Sequence, residues 1–177
     1  MTGDKFMKRF CVLCLVYLFT LVGCGSEPDL TIAGHDWTFQ TMSMQEGGET
    51  LVVFCTPELA EQYPEAVSDT YTWSFIPAPD GTENTFLLHS LYRPSPESDY
   101  TDSDHSICTF TLSEIDRDAA VYAMRLIGDE GDGNVLDGQA VVSVTYDNNE
   151  PTGYTLLLTY GNAEGSVTVT LTAPYTK

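Results

Sequence analysis

Apolar and polar residues alternate along most of the chain after residue 36, and this two-residue period predicts β-strands with one buried face. The clearest example places Tyr71, Trp73 and Phe75 on one face of a strand and Thr72 and Ser74 on the other. The last two strands follow the same rule and form a hairpin. Eight or nine short strands are predicted, within residues 37–42, 50–55, 70–76, 85–92, 106–112, 120–127, 139–146, 154–160 and 166–172.

Helix is predicted to be a minor element. Thr56 and Pro57 are typical of the N-cap and the first position of a short helix. This helix is expected to end by Tyr63, because Pro64 disfavours helical geometry in the residue before it. One further helical turn is predicted over residues 113–118. Short strands with threonine-rich outer faces predict an all-β domain, an antiparallel β-sandwich with minor helical turns.

The first residues of the chain have a different pattern. Lys5, Lys8 and Arg9 precede an almost uninterrupted apolar run from Phe10 to Val22. The 13 residues of this run would reach roughly 20 Å as a helix, too short for a bilayer core of about 30 Å. The run therefore predicts the hydrophobic part of an export signal and not a permanent membrane helix.

The apolar run ends in Leu21-Val22-Gly23-Cys24, which resembles the lipobox of bacterial lipoproteins. The resemblance implies cleavage before Cys24, attachment of diacylglycerol to its sulfur and often a further acyl chain, such as palmitate, on its amino group. Such chains anchor durably, because each buried methylene contributes about 0.8 kcal/mol. The implied organisation is a signal peptide over 1–23, a lipidated tether over 24–29 and one domain over 30–177. An ordinary signal peptide with a chance cysteine is the alternative.

The residues after the cysteine bear on localisation. Gly25, and not Asp, follows Cys24, which by the same resemblance favours the outer membrane. Glu27 and Asp29 are similar to the acidic export signals of Bacteroidetes surface lipoproteins. We therefore expect a lipid-anchored protein of the outer membrane or the cell surface.

Two segments resemble a PKD-type immunoglobulin-like domain. One is the strand Tyr71-Thr72-Trp73-Ser74-Phe75, where that family has an aromatic strand with a central tryptophan. The other starts at residues 142–146 and ends in a hairpin over residues 162–166 with the sequence NAEGS. Residues 118–122 are in addition similar to the tyrosine-corner strand of immunoglobulin variable domains. The resemblance implies an immunoglobulin-like β-sandwich and says nothing about activity.

Charge limits the classes of partner. The full chain has a net charge of −19. Removal of residues 1–23 takes Lys5, Lys8, Arg9 and Asp4 with it, which leaves 4 basic and 25 acidic side chains and a net charge of −21. Such a charge repels nucleic acids and anionic lipid surfaces, so neither is an expected partner. The acidic residues are scattered among many aromatic ones, which favours a folded domain over a disordered acidic tail.

Two cysteines remain in the predicted domain, Cys55 and Cys108. An even number in an oxidising compartment predicts one disulfide. Strand alternation places Cys55 on the face of Leu51 and Cys108 on the face of Phe110, so both sulfurs have apolar neighbours. This arrangement is compatible with an internal bridge.

Candidate metal and catalytic chemistry is sparse. Asp129, Asp132, Asn134 and Asp137 alternate oxygen donors with glycines, as calcium loops do, but their spacing fits no EF-hand and the terminal glutamate is missing. An acidic hairpin loop is the simpler interpretation. The mature chain has no nucleophile elbow, zinc-protease motif or phosphate-binding loop, and its histidines are dispersed. We therefore predict neither an enzyme nor a cofactor.

A binding surface is predicted in the long irregular segment over residues 92–100. Tyr92 and Tyr100 can stack on sugar rings or fill a protein pocket, and Arg93 can pair with a carboxylate. A connector without a ligand is the alternative. The sequence thus predicts a non-enzymatic binding or assembly module for a glycan or a protein. A small secreted hydrolase or hydrolase accessory and a structural envelope protein without a small ligand remain alternatives.

Overall fold

The computed structural model describes residues 27–79, 82–92, 101–128, 135–161 and 165–176, and of residues 92, 101–105 and 128 the backbone alone. Every predicted stretch of strand is confirmed, and the structure adds the two-residue strand β3. The strands are β1 (Asp36–Glu46), β2 (Glu49–Cys55), β3 (Val67–Ser68), β4 (Thr72–Pro77), β5 (Thr85–Tyr92), β6 (Thr101–Ile115), β7 (Ala119–Gly128), β8 (Val135–Asp147), β9 (Glu150–Gly161) and β10 (Gly165–Pro174).

Eight of these strands close into an antiparallel β-barrel, in the order β1-β4-β5-β6-β7-β8-β9-β10 and back to β1. The closure is a direct pairing of the first and last strands, with Phe39 opposite Leu171. On its other edge β1 pairs with β4, where Trp37 lies opposite Trp73, and beyond that point with β2. The predicted immunoglobulin-like and PKD-like sandwich is therefore wrong, because one sheet closes on itself where a sandwich has two separate sheets.

Short turns between sequential neighbours explain why the chain forms a barrel. From β4 to β10 every strand pairs antiparallel with the next one in the sequence. Asn148 and Asn149 join β8 to β9 with φ angles of 50° and 67°, and Gly47 and Gly48 join β1 to β2 with 59° and 87°. Positive φ at both central residues is the geometry of the hairpin turns whose twist matches that of strands. A meander of twisted strands curls until its last strand meets its first.

One face of each barrel strand fills the interior. Trp37 and Phe39 are fully buried. Phe39 meets Trp73 edge to face, with ring centroids 4.5 Å apart, and Phe75 meets Phe110 in the same way at 5.2 Å. An eight-stranded barrel is just wide enough for such side chains to fill. The aromatic contacts therefore make the part of the barrel around Trp37 and Phe39 a packed core.

Residues 27–35 seal one end of the barrel, here called the closed end, where β1 begins and β10 ends. Leu30 and Ile32 are buried and belong to the core. The Trp37 indole N–H donates a hydrogen bond to the Ile32 carbonyl oxygen at 2.9 Å, and the Tyr122 hydroxyl donates one to the Leu30 carbonyl oxygen at 2.8 Å. The segment thus satisfies its backbone groups with side chains from the barrel wall.

Helix is scarce, as predicted. A single 3-10 turn over Pro57–Leu59 begins where the short helix was expected. The helical turn predicted over residues 113–118 is wrong, because β6 continues to residue 115 and a hairpin turn follows. There the Asp116 carboxylate accepts hydrogen bonds from the backbone N–H groups of Asp118 and Ala119, both at 2.8 Å. Within the described ranges no helix has the length and apolar character needed to cross a bilayer.

The predicted disulfide is wrong, because Cys55 and Cys108 are both buried free thiols. Cys108 lies on β6 and points into the core. In β2 a bulge leaves Val53 without a partner on β1, so that strand alternation is broken before Cys55. Phe54 therefore points inward and belongs to the hydrophobic core. Cys55 is also buried, but it is not part of that core. The two side chains therefore lie on opposite faces of the sheet to which β2 and β6 both belong.

Candidate functional site

The end of the barrel opposite residues 27–35 is here called the open end. It is bounded by the end of β1, the beginnings of β8 and β10 and the end of β9. Met44 and Leu51 pair across β1 and β2 on the inward face at this end, and they are 49% and 56% exposed. Phe39, inward on the same strand but nearer the closed end, is 1% exposed. The core thus stops short of the open end and leaves apolar inner wall uncovered.

A cavity of about 310 Å³ lies at this open end. Inward-facing apolar side chains from four neighbouring strands form its floor, and polar groups from β1 and β10 form part of its rim. This volume is at the lower limit for sites that hold small molecules, roughly 300–1,000 Å³. The lining residues are Met44, Gln45 and Glu46 of β1, Leu136 of β8, Tyr160 and Gly161 of β9, and Gly165, Ser166 and Val167 of β10.

Glycines let the strands at the rim approach closely. A Cβ atom on Gly165 would lie 2.6 Å from the Gln45 carbonyl oxygen, and one on Gly161 would lie 2.7 Å from the Ser166 Cα. Any larger residue would push β1, β9 and β10 apart. The Ser166 hydroxyl donates a hydrogen bond of 3.4 Å to the Gln45 side-chain oxygen. These contacts hold one wall of the cavity in a defined shape.

Tyr160 is the aromatic residue of the cavity floor. It lies directly across from Gly138 on β8, and a Cβ atom there would be 2.8 Å from the Tyr160 Cβ. The glycine therefore provides the room that the tyrosine needs on the inner wall. Burial raises the pKa of the Tyr160 hydroxyl, and the charge that Cys108 would carry raises it further. The Tyr160 hydroxyl therefore stays protonated at neutral pH.

The buried setting of the Cys108 thiol disfavours its ionisation. Burial in the core raises its pKa from 9.0 to about 12, so the thiol stays protonated near neutral pH. Only the thiolate attacks or binds metals readily. The charge-bearing side chain that lines the cavity is Glu46, at the rim. The site therefore suits binding better than covalent chemistry.

Several of the predicted site residues lie outside the described residues. These include the lipidation residue Cys24 and the binding residues Arg93 and Tyr100. Tyr92 is the last residue of β5, and its backbone alone is described. The structure therefore tests neither the lipid anchor nor the binding surface over residues 92–100.

Of the four weak calcium candidates, only one lies within the described residues. Asp129, Asp132 and Asn134 lie outside the described residues. Asp137 lies on β8, and its carboxylate accepts a hydrogen bond of 3.0 Å from the Arg125 side chain on β7, as an exposed ion pair. In the part of the chain that the structure describes, no group of three or more His, Cys, Asp or Glu residues could hold a metal ion.

Two histidines have described side chains, and neither lines the cavity. His35 is buried at the closed end, with its ring 5.1 Å from that of Trp37 and 4.8 Å from that of Tyr154. Its Nε2 atom has no hydrogen-bond partner among the described residues. His89 lies on β5, in register with Ser74 of β4. The described histidines and the cavity thus do not form one catalytic cluster.

Sequence reasoning assigned no site role to the residues of the cavity floor. In the alternating pattern the floor residues occupy inward positions, just as buried core residues do; they are Met44, Leu136, Tyr160 and Val167. Nothing in the pattern marks where the core ends. The exposure of an inward methionine and leucine is visible only after the barrel closes. No family model, no curated protein and no solved structure matches the chain.

Proposed function

We propose that this protein is a lipid-anchored, non-enzymatic binding module that receives its ligand in the cavity at the open end of the barrel. The observation that carries the proposal is the difference between the two ends. One end is sealed by Leu30 and Ile32, and the other exposes inward apolar side chains around about 310 Å³ of space. An exposed apolar concavity with a few polar groups is typical of ligand sites.

The cavity favours an uncharged ligand, or ligand group, that is mostly apolar. Met44, Leu136 and Val167 supply apolar contact, and the Tyr160 ring supplies a flat face. The Gln45 side chain pairs with Ser166 on the outer face, so the lining offers few polar contacts to a ligand. A glycan has many hydroxyl groups that need partners, and this lining offers few. An apolar side chain of a protein, the other expected ligand, fits this lining better, and a small apolar molecule would fit it too.

The position of the anchor agrees with this use of the open end. Residues 24–29 lead from the proposed lipidated Cys24 directly into the segment that seals the closed end. Six residues span at most about 20 Å when fully extended. The closed end would thus be held near the membrane, and the open end would be directed away from it.

The alternative functions make different demands on the same cavity. A hydrolase needs a base and a nucleophile within hydrogen-bond reach of each other. Among the described residues, the lining contains the Ser166 hydroxyl and the Glu46 carboxylate but no histidine, cysteine or lysine. A structural envelope protein needs no cavity at all. Binding of a small apolar probe at the open end would separate the proposed module from a purely structural role.

The test uses N-phenyl-1-naphthylamine, an uncharged apolar dye whose fluorescence rises in apolar surroundings. The mature chain, residues 25–177, is exported behind a signal peptide without a lipobox, so that no detergent competes for the dye. The wild-type protein is expected to raise the fluorescence in a saturable way. Val167→Phe fills the cavity and is expected to abolish the signal.

Thr168→Phe is the matched control, because it adds the same ring to the next residue of β10, which faces outward. It is expected to bind the dye as the wild type does. Melting temperatures of all three proteins exclude a folding defect as the cause. Equal dye binding by Val167→Phe and the wild type, or no binding by the wild type, contradicts the proposal.

A further inference from the structure

The outer edge of β2, the edge that faces away from β1, has no strand beside it at the open end. β3 pairs with Phe54 and Cys55 of β2 and extends no further along it. In the described part of the chain, no strand and no backbone hydrogen bond reaches the outer edge of residues 49–53. An unpaired edge is a row of hydrogen-bonding groups with which another extended chain can pair.

The hairpin geometry determines which backbone groups are free on this edge. The turn between β1 and β2 has two residues, and Glu46 and Glu49 pair across its base. In such a hairpin this first pair exchanges both of its hydrogen bonds, and bonded and non-bonded pairs then alternate along the strands. Thr50 and Val52 therefore direct their N–H and C=O groups away from β1. An added strand would find two donors and two acceptors there.

An apolar row on the inward face stops at the same edge. Four side chains lie opposite one another across neighbouring strands and are here called the inner row: Tyr160 of β9, Val167 of β10, Met44 of β1 and Leu51 of β2. Leu51 ends the row and is 56% exposed. A strand paired with β2 would place one side chain opposite Leu51, with the two Cβ atoms about 5 Å apart. An apolar side chain there would continue the inner row and cover Leu51.

Two carboxylates lie beside the end of the inner row. Glu49 is on the same face of β2 as Leu51, and Glu46 is directly opposite Glu49 on β1; both are exposed. Like charges directly opposite each other destabilise a sheet. The chain has no lysine or arginine between Arg9 and Arg93, so β1 to β5 supply no cation. A basic side chain on the added strand, opposite Glu49, would offset this repulsion.

We propose that the outer edge of β2 binds an extended, basic segment of a partner protein as an added strand. The proposal rests on the proposed function, because it names the chemistry of the protein ligand that the open end receives. Backbone hydrogen bonds supply affinity in this mode, and alternate side chains supply specificity. A second copy of this chain, with a net charge of −19, would be repelled.

The register defines the motif that the partner must carry. Antiparallel pairing is the more stable arrangement. In that direction the partner residue opposite Leu51 comes two positions before the residue opposite Glu49. The expected motif is thus an apolar residue, then any residue that favours a strand, then lysine or arginine.

A synthetic peptide with this motif tests the proposal. The probe is Ser-Thr-Leu-Thr-Lys-Thr-Ser with a rhodamine label, and fluorescence anisotropy measures its binding to the mature chain, residues 25–177. A saturable rise is expected. The same peptide with glutamate in place of lysine is expected to bind roughly tenfold more weakly, because an attractive cross-strand pair becomes a repulsive one.

N-methylated peptides test the backbone hydrogen bonds without any change to the protein. Methylation of the threonine between leucine and lysine removes an N–H group that faces β2, and it is expected to abolish binding. Methylation of the leucine is the matched control, because its N–H group faces away from β2 and its loss should leave binding in place.

Variants of the protein test the same contacts from the other side. Thr50→Pro removes a donor from the free edge and is expected to abolish binding, whereas Thr50→Val keeps the donor and should bind like the wild type. Glu49→Lys is expected to reverse the preference, so that the glutamate peptide binds better than the lysine peptide. Glu150→Lys makes the same change in net charge at the other end of the barrel and should leave the preference unchanged. Melting temperatures show whether each variant is folded.

The proposal is wrong if the wild type gives no saturable binding, if folded Thr50→Pro binds as well as Thr50→Val, or if Glu49→Lys keeps the wild-type preference. Equal effects of the two N-methylations would also contradict it. Failure here is distinguishable from failure of the cavity proposal. Dye binding without peptide binding would refute the added strand alone, and peptide binding without dye binding would support the added strand and refute the cavity as the site of the dye.

Discussion

At the scale of single residues, the interior of this barrel keeps its ionisable groups uncharged. Burial raises the pKa values of Cys108 and Tyr160, which both lie inside the barrel. A thiolate or phenolate there would lose its hydration without a cationic partner to replace it. The interior thus provides a neutral apolar environment next to the Tyr160 ring. Such surroundings would suit the uncharged ligand that the proposed function requires.

The raised pKa of Cys108 predicts a loss of stability at alkaline pH. The unfolded chain releases the thiol proton near pH 9.0, whereas the folded protein holds it until about pH 12. The stabilisation is complete below pH 9.0 and decreases as the pH rises toward 12. The free energy of unfolding should fall by up to about 1.4 kcal/mol per pH unit from this group. Urea unfolding between these pH values measures the slope.

Two variants isolate the contribution of Cys108 to that slope. Cys108→Ala should lower stability at neutral pH and flatten the decline at alkaline pH, because the titrating group is gone. Val142→Ala also truncates a fully buried core residue but removes no ionisable group, so the full slope should remain. An equal slope in Cys108→Ala and the wild type would show that the Cys108 pKa is not raised.

At the scale of elements, close contacts between neighbouring strands shape the cavity. β8 and β9 pair along their whole lengths, and Gly138 lies opposite Tyr160 near the open end. A Cβ atom on Gly138 would clash with the Thr159 carbonyl oxygen. The glycine is needed because two backbones and one large ring meet there. The strand pairing and the position of Tyr160 therefore depend on a glycine, which has no side chain, at position 138.

Gly138→Ala is predicted to destabilise the protein through this clash. Overpacking of this kind costs roughly 1–3 kcal/mol and sometimes more. Gly48→Ala is the control, because its Cβ would meet nothing within 4 Å and only its φ of +87° causes strain. We expect Gly138→Ala to cost more stability in urea unfolding and to weaken dye binding, and Gly48→Ala to leave dye binding unchanged. If both variants change dye binding equally, Gly138 has no specific effect on the cavity, and this prediction is wrong.

At the scale of the whole molecule, the two ends of the barrel have different roles. The tether enters at the closed end, and the cavity lies at the open end. A lipid anchor at Cys24 would therefore leave the cavity accessible to a ligand from the side away from the membrane.

The lipid anchor is tested by mass. Cleavage on the amino side of Asp29 releases the short peptide Cys24-Gly25-Ser26-Glu27-Pro28 from the mature protein. This peptide is expected to carry the mass of two or three acyl chains, and the protein is expected to remain with the membrane fraction. The mature chain exported without a lipobox is the control and should be soluble. An unmodified Cys24 in the wild type would contradict the lipobox interpretation.

The sequence by itself determined nine of the ten described strands and most of their inward faces. Every predicted stretch of strand is present, and β5 agrees to the residue. Alternation is a local property, because successive side chains of an extended chain point to opposite sides whatever the sheet later does. The same local pattern serves a sandwich and a barrel equally well, and for this reason the resemblance to a PKD-type domain around Trp73 misidentified the fold.

Only the tertiary structure decided how the strands were arranged around one another. The pairing of Phe39 with Leu171 closes the barrel across more than a hundred residues, and no local signal specifies such a contact. The bulge at Val53 turned Cys55 away from Cys108, although simple alternation placed both sulfurs inside. The cavity exists because the aromatic core ends before the strands do. That boundary depends on which side chains meet across the closed barrel, and so it arises only when all eight strands are in place.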